Sequence, residues 1–338
     1  ELWAHDTSNS STWQVADIRS GGSSSPGAYM TILVGDTLYF SANDGSSGYE
    51  LWAHDTSNSS TWLVADINSG GSSYPGQYMT ILVGDTLYFS ANDGSSGVEL
   101  WAHDTSNSST WRVADINSGS GHSGPGQYMT ILVGDTLYFD ADDGSTGGEL
   151  WAHDTSTSST WQVADIWSGS GHSNPGQYMT ILVGDTLYFD AYTSGGRELW
   201  AHDTSNSSTW LVADINSGGQ SYPGYYMAIL VGDTLYFSAD DGSSGHELWA
   251  HDTSNSSTWQ VADINSGAGD SYPGQHMAIL VGDTLYFSAN GGSSGYELWA
   301  HDTSTSSTWL VADINSGAGT SYPGQFMTIL VGDTLYFD

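Results

Sequence analysis

The tripeptide Glu-Leu-Trp opens seven near-identical stretches, at Glu1, Glu50, Glu99, Glu149, Glu198, Glu247 and Glu297, spaced by 49 or 50 residues. A unit this short cannot bury its own apolar side and must stack on its neighbours. Seven copies at this period therefore restrict the chain to a propeller or a solenoid.

Within one copy, Met79-Thr-Ile-Leu-Val, Thr86-Leu-Tyr-Phe-Ser-Ala, Glu99-Leu-Trp-Ala-His-Asp and Thr110-Trp-Arg-Val-Ala-Asp-Ile are short and rich in β-branched and aromatic residues. They read as four strands, A to D. Gly84-Asp85, Asn92-Asp93-Gly94, the run from Asp104 to Asn107 and a Gly/Ser/Pro stretch ending at Pro125-Gly126 supply turn chemistry between them. No stretch keeps a 3.6-residue apolar period long enough for a helix. The expected fold is all-β: a seven-bladed β-propeller of four-stranded antiparallel blades, forming a single domain over residues 1–338.

The chain enters this pattern in mid-blade. Residues 1–18 carry only C and D, and residues 326–338 carry only A and B. Whole blades are expected at about 29–67, 78–116, 128–166, 178–215, 226–264 and 276–314, with the seventh split between the ends. Pairing the last B strand with the first C strand would close a monomeric ring and remove exposed edges. The same halves on neighbouring chains would instead give head-to-tail assembly.

Glu-Leu-Trp-x-x-Asp, present in all seven copies, resembles the repeat of the highly repetitive propellers named for Glu-Leu-Trp-x-x-Asp-Gly-Thr. The resemblance implies a β-propeller in an extracellular or cell-surface protein and carries no activity with it. The sequence departs from that motif at the Gly, reading Asp6-Thr7-Ser8 and its equivalents.

Thirty-eight acidic residues stand against three basic ones, for a net charge of −35, and the cations are Arg19, Arg112 and Arg197. A nucleic-acid binder is excluded, because phosphate contacts need Lys and Arg. The lack of Lys likewise removes P-loop and Schiff-base chemistry and a polybasic membrane patch. Cysteine is absent too, so disulfides, thiol nucleophiles and zinc-thiolate sites drop out. Apolar runs such as Met79 to Val83 fall far short of the roughly 20 residues a membrane helix needs, and no membrane insertion is expected.

Copies this similar allow an internal comparison of where they differ. On the B-to-C turn the residue before Glu is Tyr49, Val98, Gly148, Arg197, His246 or Tyr296. On the D-to-A loop, Trp167 replaces Asn, and the residue before Pro is Ser25, Tyr74, Gly124, Asn174, Tyr222, Tyr272 or Tyr322. Strands alternate in direction, so these two kinds of loop emerge on the same side, where varied residues on a rigid scaffold suit binding. Gln77, in Tyr74-Pro-Gly-Gln-Tyr, adds an amide to the same set. Drift on exposed loops accounts for the variation equally well.

The opposite loops are nearly constant. Asn9, Asn58, Asn107, Asn206 and Asn255 each open Asn-Ser-Ser, an acceptor for N-glycosylation; Thr157 and Thr305 stand there in two copies. The competing role is turn capping by the Asn side chain. Each copy also holds His-Asp, as at His54-Asp55, and adjacent strand residues point to opposite sides, so the pair cannot share a metal or form a relay. These His, and Trp pairs such as Trp52 and Trp62, are expected to pack between blades. Asp66 and Asn68, followed by Gly70, repeat part of a calcium loop without its later bidentate acid, and Asp140, Asp142 and Asp143 form a second cluster. Turn capping explains both, with calcium as the alternative and no other cofactor implied.

The function expected from the sequence is a non-enzymatic extracellular or cell-surface scaffold, displaying its varied loops to a protein partner. The alternatives are a multivalent lectin bound to a glycan partner and a head-to-tail filament subunit. No catalytic residue can be singled out.

Overall fold

The computed structural model describes all residues 1–338 and contains 28 strands and no helix. Two compact units divide the chain, Glu1–Asn174 and Pro175–Asp338. The first unit begins with a two-stranded sheet, β1 (Leu2–Asp6) and β2 (Ser11–Ala16). Its first whole blade is β3 (Thr31–Val34), β4 (Thr37–Asn43), β5 (Tyr49–Asp55) and β6 (Ser60–Ala65), paired in that order. Two further four-stranded sheets of the same order follow. The second unit holds three more and ends in a two-stranded sheet, Thr328–Val331 with Thr334–Phe337. The fold is thus of the propeller type, six antiparallel four-stranded blades and a seventh whose C–D and A–B halves lie at opposite ends of the chain.

Local chemistry sets each connection. A and B are joined by two residues, Val83↔Thr86 being the last pair, and Gly84 takes φ 58° as the first position of a type II′ hairpin requires. In the C–D pairing, Leu51 faces Ala65 while Trp52 faces Leu63, so one extra residue is inserted into D. The same bulge recurs in every repeat.

D ends two residues earlier than the sequence pattern suggests, at Ala114 instead of Ile116. The reason is Glu99, which is wholly buried and accepts the Ile116 N–H at 2.7 Å, taking it away from the ladder.

Strand B sits at the centre of the packing, and its Leu, Tyr, Phe and Ala are buried, as Leu87, Tyr88, Phe89 and Ala91 are in the second blade. In the second blade, Leu87, Phe89 and Ala91 pack on Met30, Tyr39, Leu51 and Ala53 of the first. Tyr88, between them, joins Met79, Leu100 and Ala102 in facing Leu137, Phe139 and Ala141 of the third. The two-residue alternation of a strand thus serves two interfaces at once. In the second unit Met227, Tyr236 and Leu248 meet Leu285, Phe287 and Ala289 in the same way. Each fully buried Phe contributes roughly 1.5–3 kcal/mol by its removal from water.

Candidate functional site

The B–C turn and the following D–A loop of a blade are tied together by backbone. In the first blade the Tyr49 N–H donates to Ser72 Oγ at 3.0 Å, and the Ser73 N–H donates to the Tyr49 carbonyl at 2.9 Å. The two sets of varied residues therefore meet. Tyr29, Tyr49 and Tyr74 lie with ring centres 5.2–5.9 Å apart, and Gln77 is exposed.

Tyr74, Tyr222, Tyr272 and Tyr322, each before a Pro, hold φ between 47° and 49°, a left-handed conformation that costs an ordinary side chain roughly 1–2 kcal/mol. Gly124 takes the same conformation without that penalty. The strain is set by the loop, and it projects a ring wherever the position is Tyr.

The second unit gathers the larger aromatic group. Tyr178, Tyr225, Tyr226 and Tyr272 follow one another with ring centres 4.6–5.0 Å apart, and Tyr296 stacks on Tyr322 at 5.5 Å. An open cavity of about 290 Å³ is lined by Tyr178, Tyr222, Tyr225, Tyr226 and His246. Burial pushes the His246 imidazole below its ordinary value, against the pull of Asp240 and Asp270. The Tyr272 hydroxyl donates to Asp270 Oδ2 at 2.7 Å, a bond that pushes the phenol up to about 12. Tyr178, Tyr225 and Tyr226 escaped the sequence reading. Tyr225 was legible there, since it stands where other copies have Gln77, Gln127 or Gln177.

In the first unit a second cavity, of about 330 Å³, is lined among others by Tyr78, His122, Asp140, Asp142 and His172. His122 and His172 accept the Val98 and Gly148 N–H through Nδ1, as Ser72 does in the first blade.

Arg197 is a correction. Expected among the displayed loop residues, it is completely buried: it pairs with Asp190, donates to Gln177 Oε1 at 2.7 Å, and lies over the Tyr178 and Tyr192 rings at 4.9 and 3.9 Å. Asp190 replaces the Ser41 of the first blade, and Arg197 answers its charge. Burial pushes the Asp190 carboxyl up, and the guanidinium pulls it back. Trp167 is half-buried, its ring against Gly171.

The other sequence candidates have defined local roles. Asn9, Asn58, Asn107, Asn206 and Asn255 are exposed, and each donates from Nδ2 to the preceding Asp of the C–D turn at 2.6–2.8 Å. Each Oδ1 accepts a backbone N–H two residues on. They cap the turn through both ends of the amide. The His of His-Asp bonds a Thr on strand D, as His54 Nδ1 does to Thr61 Oγ1 at 2.8 Å, and packs against Tyr of the preceding blade, as His103 does on Tyr39 at 5.3 Å.

Among the tryptophans, Trp101 packs into the core between the first two blades. The D-strand residues Trp62, Trp111 and Trp259 are instead about 40% exposed, against the expected inter-blade packing. Asn68 Nδ2 donates to the Ser72 carbonyl at 3.1 Å. Asp142 and Asp143 accept backbone N–H groups of their own turn at 2.7 Å. Asp140 accepts the Tyr128 and Met129 N–H groups at 2.8 and 2.9 Å, and burial pushes it up to about 7.

No protein-family model matches the sequence, and no curated protein does. Solved structures do resemble the fold. TolB from Acinetobacter baumannii is 12% identical with a TM-score of 0.37, over 77% of this chain and 58% of TolB. BamB from Moraxella catarrhalis is 17% identical with a TM-score of 0.41, over 90% of this chain and 78% of BamB. An oligogalacturonate lyase from Vibrio parahaemolyticus is 10% identical with a TM-score of 0.43, over 92% and 84%. No helix is long and apolar enough to cross a membrane.

Proposed function

We propose that the chain is a non-enzymatic binding module of an extracellular or cell-surface protein, acting through its tyrosine-bearing B–C turns and D–A loops. The cavity formed by Tyr178, Tyr222, Tyr225, Tyr226 and His246 carries this reading. Aromatic rings with hydroxyls at their rims offer stacking and hydrogen bonds while losing little conformational freedom. The repeated His-Asp pair supports the non-enzymatic part, because its members diverge, His toward Thr of strand D and Asp into the C–D turn.

A saccharide is the ligand this surface favours. The cavity has the size of one or two sugar rings, its Tyr faces suit the apolar side of a pyranose, and further clusters such as Tyr29, Tyr49 and Tyr74 would add avidity. A glycan array run with the intact chain and with Tyr225→Gln tests the reading, since Gln is the residue at the equivalent positions. Sugar binding weakened by the change supports the saccharide ligand. A protein partner whose capture is weakened, with no sugar bound, supports the scaffold reading. Binding of either kind that ignores Tyr225→Gln overturns the site.

A further inference from the structure

We propose that Asp240, His246 and Asp270 together bind one divalent first-row transition-metal ion, of the zinc class. One ligand atom from each residue lies within 4.8 Å of the others, close enough for small side-chain rotations to bring all three onto a single ion. Asp240 ends strand B of the fifth blade, His246 begins strand C, and Asp270 comes from the following D–A loop. The B–C turn thus holds two of the ligands across the Asp240↔His246 strand pair, and the D–A loop delivers the third.

Two observations beyond proximity point to a ligand. His246 Nδ1 is enclosed and has no hydrogen-bond partner, leaving donor capacity of the imidazole unspent in a polar neighbourhood. The carboxylates are also oriented in advance. Asp240 Oδ1 accepts the Gly242 N–H at 2.7 Å, and Asp270 accepts the His246 N–H at 2.8 Å and the Tyr272 hydroxyl at 2.7 Å. Each carboxylate oxygen keeps a lone pair after one such bond, and outer contacts of this kind aim metal ligands.

The donor set selects the metal. Calcium takes six to eight oxygens, whereas an imidazole with two carboxylates suits zinc and its neighbours, with water completing the shell.

The first blade supplies a built-in control. Asn43, Tyr49 and Ser72 stand there in place of Asp240, His246 and Asp270, and they keep the structural bonds: Asn43 Oδ1 accepts the Gly45 N–H at 2.7 Å and Ser72 Oγ the Tyr49 N–H at 3.0 Å. Asp240→Asn, His246→Tyr and Asp270→Ser therefore remove the ligands while restoring a turn that this fold already uses.

The test is calorimetric titration of the full chain with zinc chloride in excess calcium, together with the visible absorption of bound cobalt(II). One tight equivalent per chain and a cobalt band showing nitrogen and oxygen ligation are expected. Both should be lost in the triple variant, with affinity down about tenfold in Tyr272→Phe. Equal binding by the intact chain and the triple variant, or no stoichiometric binding by the intact chain, overturns the proposal. If the triple variant fails to fold, Asp240→Asn alone decides, by losing the tight equivalent or retaining it.

Discussion

The buried Glu99 carboxylate accepts the Ser123 hydroxyl at 2.8 Å, fastening the start of strand C to the loop that leaves strand D. The same carboxylate takes the Ile116 N–H, so a single side chain ends one strand and anchors the next crossover. Glu99→Ala would leave these donors buried and unpaired, and unfolding in urea should register a loss of about 3 kcal/mol or more. A loss below 1 kcal/mol would show that water replaces the carboxylate without strain.

Glu99→Gln should behave differently, and its difference from the parent depends on pH. Burial, opposed by the Ser123 and Ile116 bonds, pushes Glu99 up to about 7 from an ordinary 4.5. Between those two values the unfolded chain has released the proton and the folded chain keeps it, so this group's contribution falls as pH rises from about 4.5 to 7. It is present in full below that window. Relative to Glu99→Gln, the parent should therefore lose about 3 kcal/mol between pH 4.5 and 8. The comparison isolates Glu99 from buried histidines such as His103, which burial pushes down and whose effect on stability has the opposite sign. A difference independent of pH would mean that burial does not raise the Glu99 carboxyl above its ordinary value.

The strand pattern was legible because each B and C strand repeats the same apolar alternation, and the split blade followed from counting which strands each end carries. Residues such as Glu99 were not, since nothing in a lone acid next to Leu-Trp says whether it faces water or the next loop. Arg197 misled for the same reason: a cation at a varied loop position reads as displayed until Asp190, seven residues back, is seen across the strand pair. His246 and Asp270 were each visible as departures from their sister copies, and Asp240 is shared with Asp142 of the third blade, but only the fold brings the D–A loop onto the B–C turn.

The two half-blades should be the first strands to open. Ile329 and Val331 are 52% and 59% exposed in the C-terminal pair, where their equivalents Ile81 and Val83 are half-buried in a whole blade. Two strands alone are marginal in water. Amide exchange in peptides covering 1–18 and 327–338 should therefore precede exchange in the four-stranded sheets. Equally slow exchange would mean that their free edges are paired, and sedimentation would then separate pairing within one chain from head-to-tail assembly.

Arg197 and Asp190 should be strongly coupled. Arg197→Met leaves the Asp190 carboxyl buried opposite a thioether, a change that costs about 3–5 kcal/mol when one partner of a buried ion pair is removed. Replacing both, as Asp190→Ser with Arg197→Tyr, rebuilds the first blade, where Ser41 Oγ accepts the Tyr29 N–H at 2.9 Å beside Tyr49. Stability measured by urea unfolding at neutral pH should then recover most of the loss, because no buried charge is left unmatched. A double variant as unstable as Arg197→Met would show instead that the guanidinium acts mainly through its stacking on Tyr178 and Tyr192, which Tyr at position 197 does not replace.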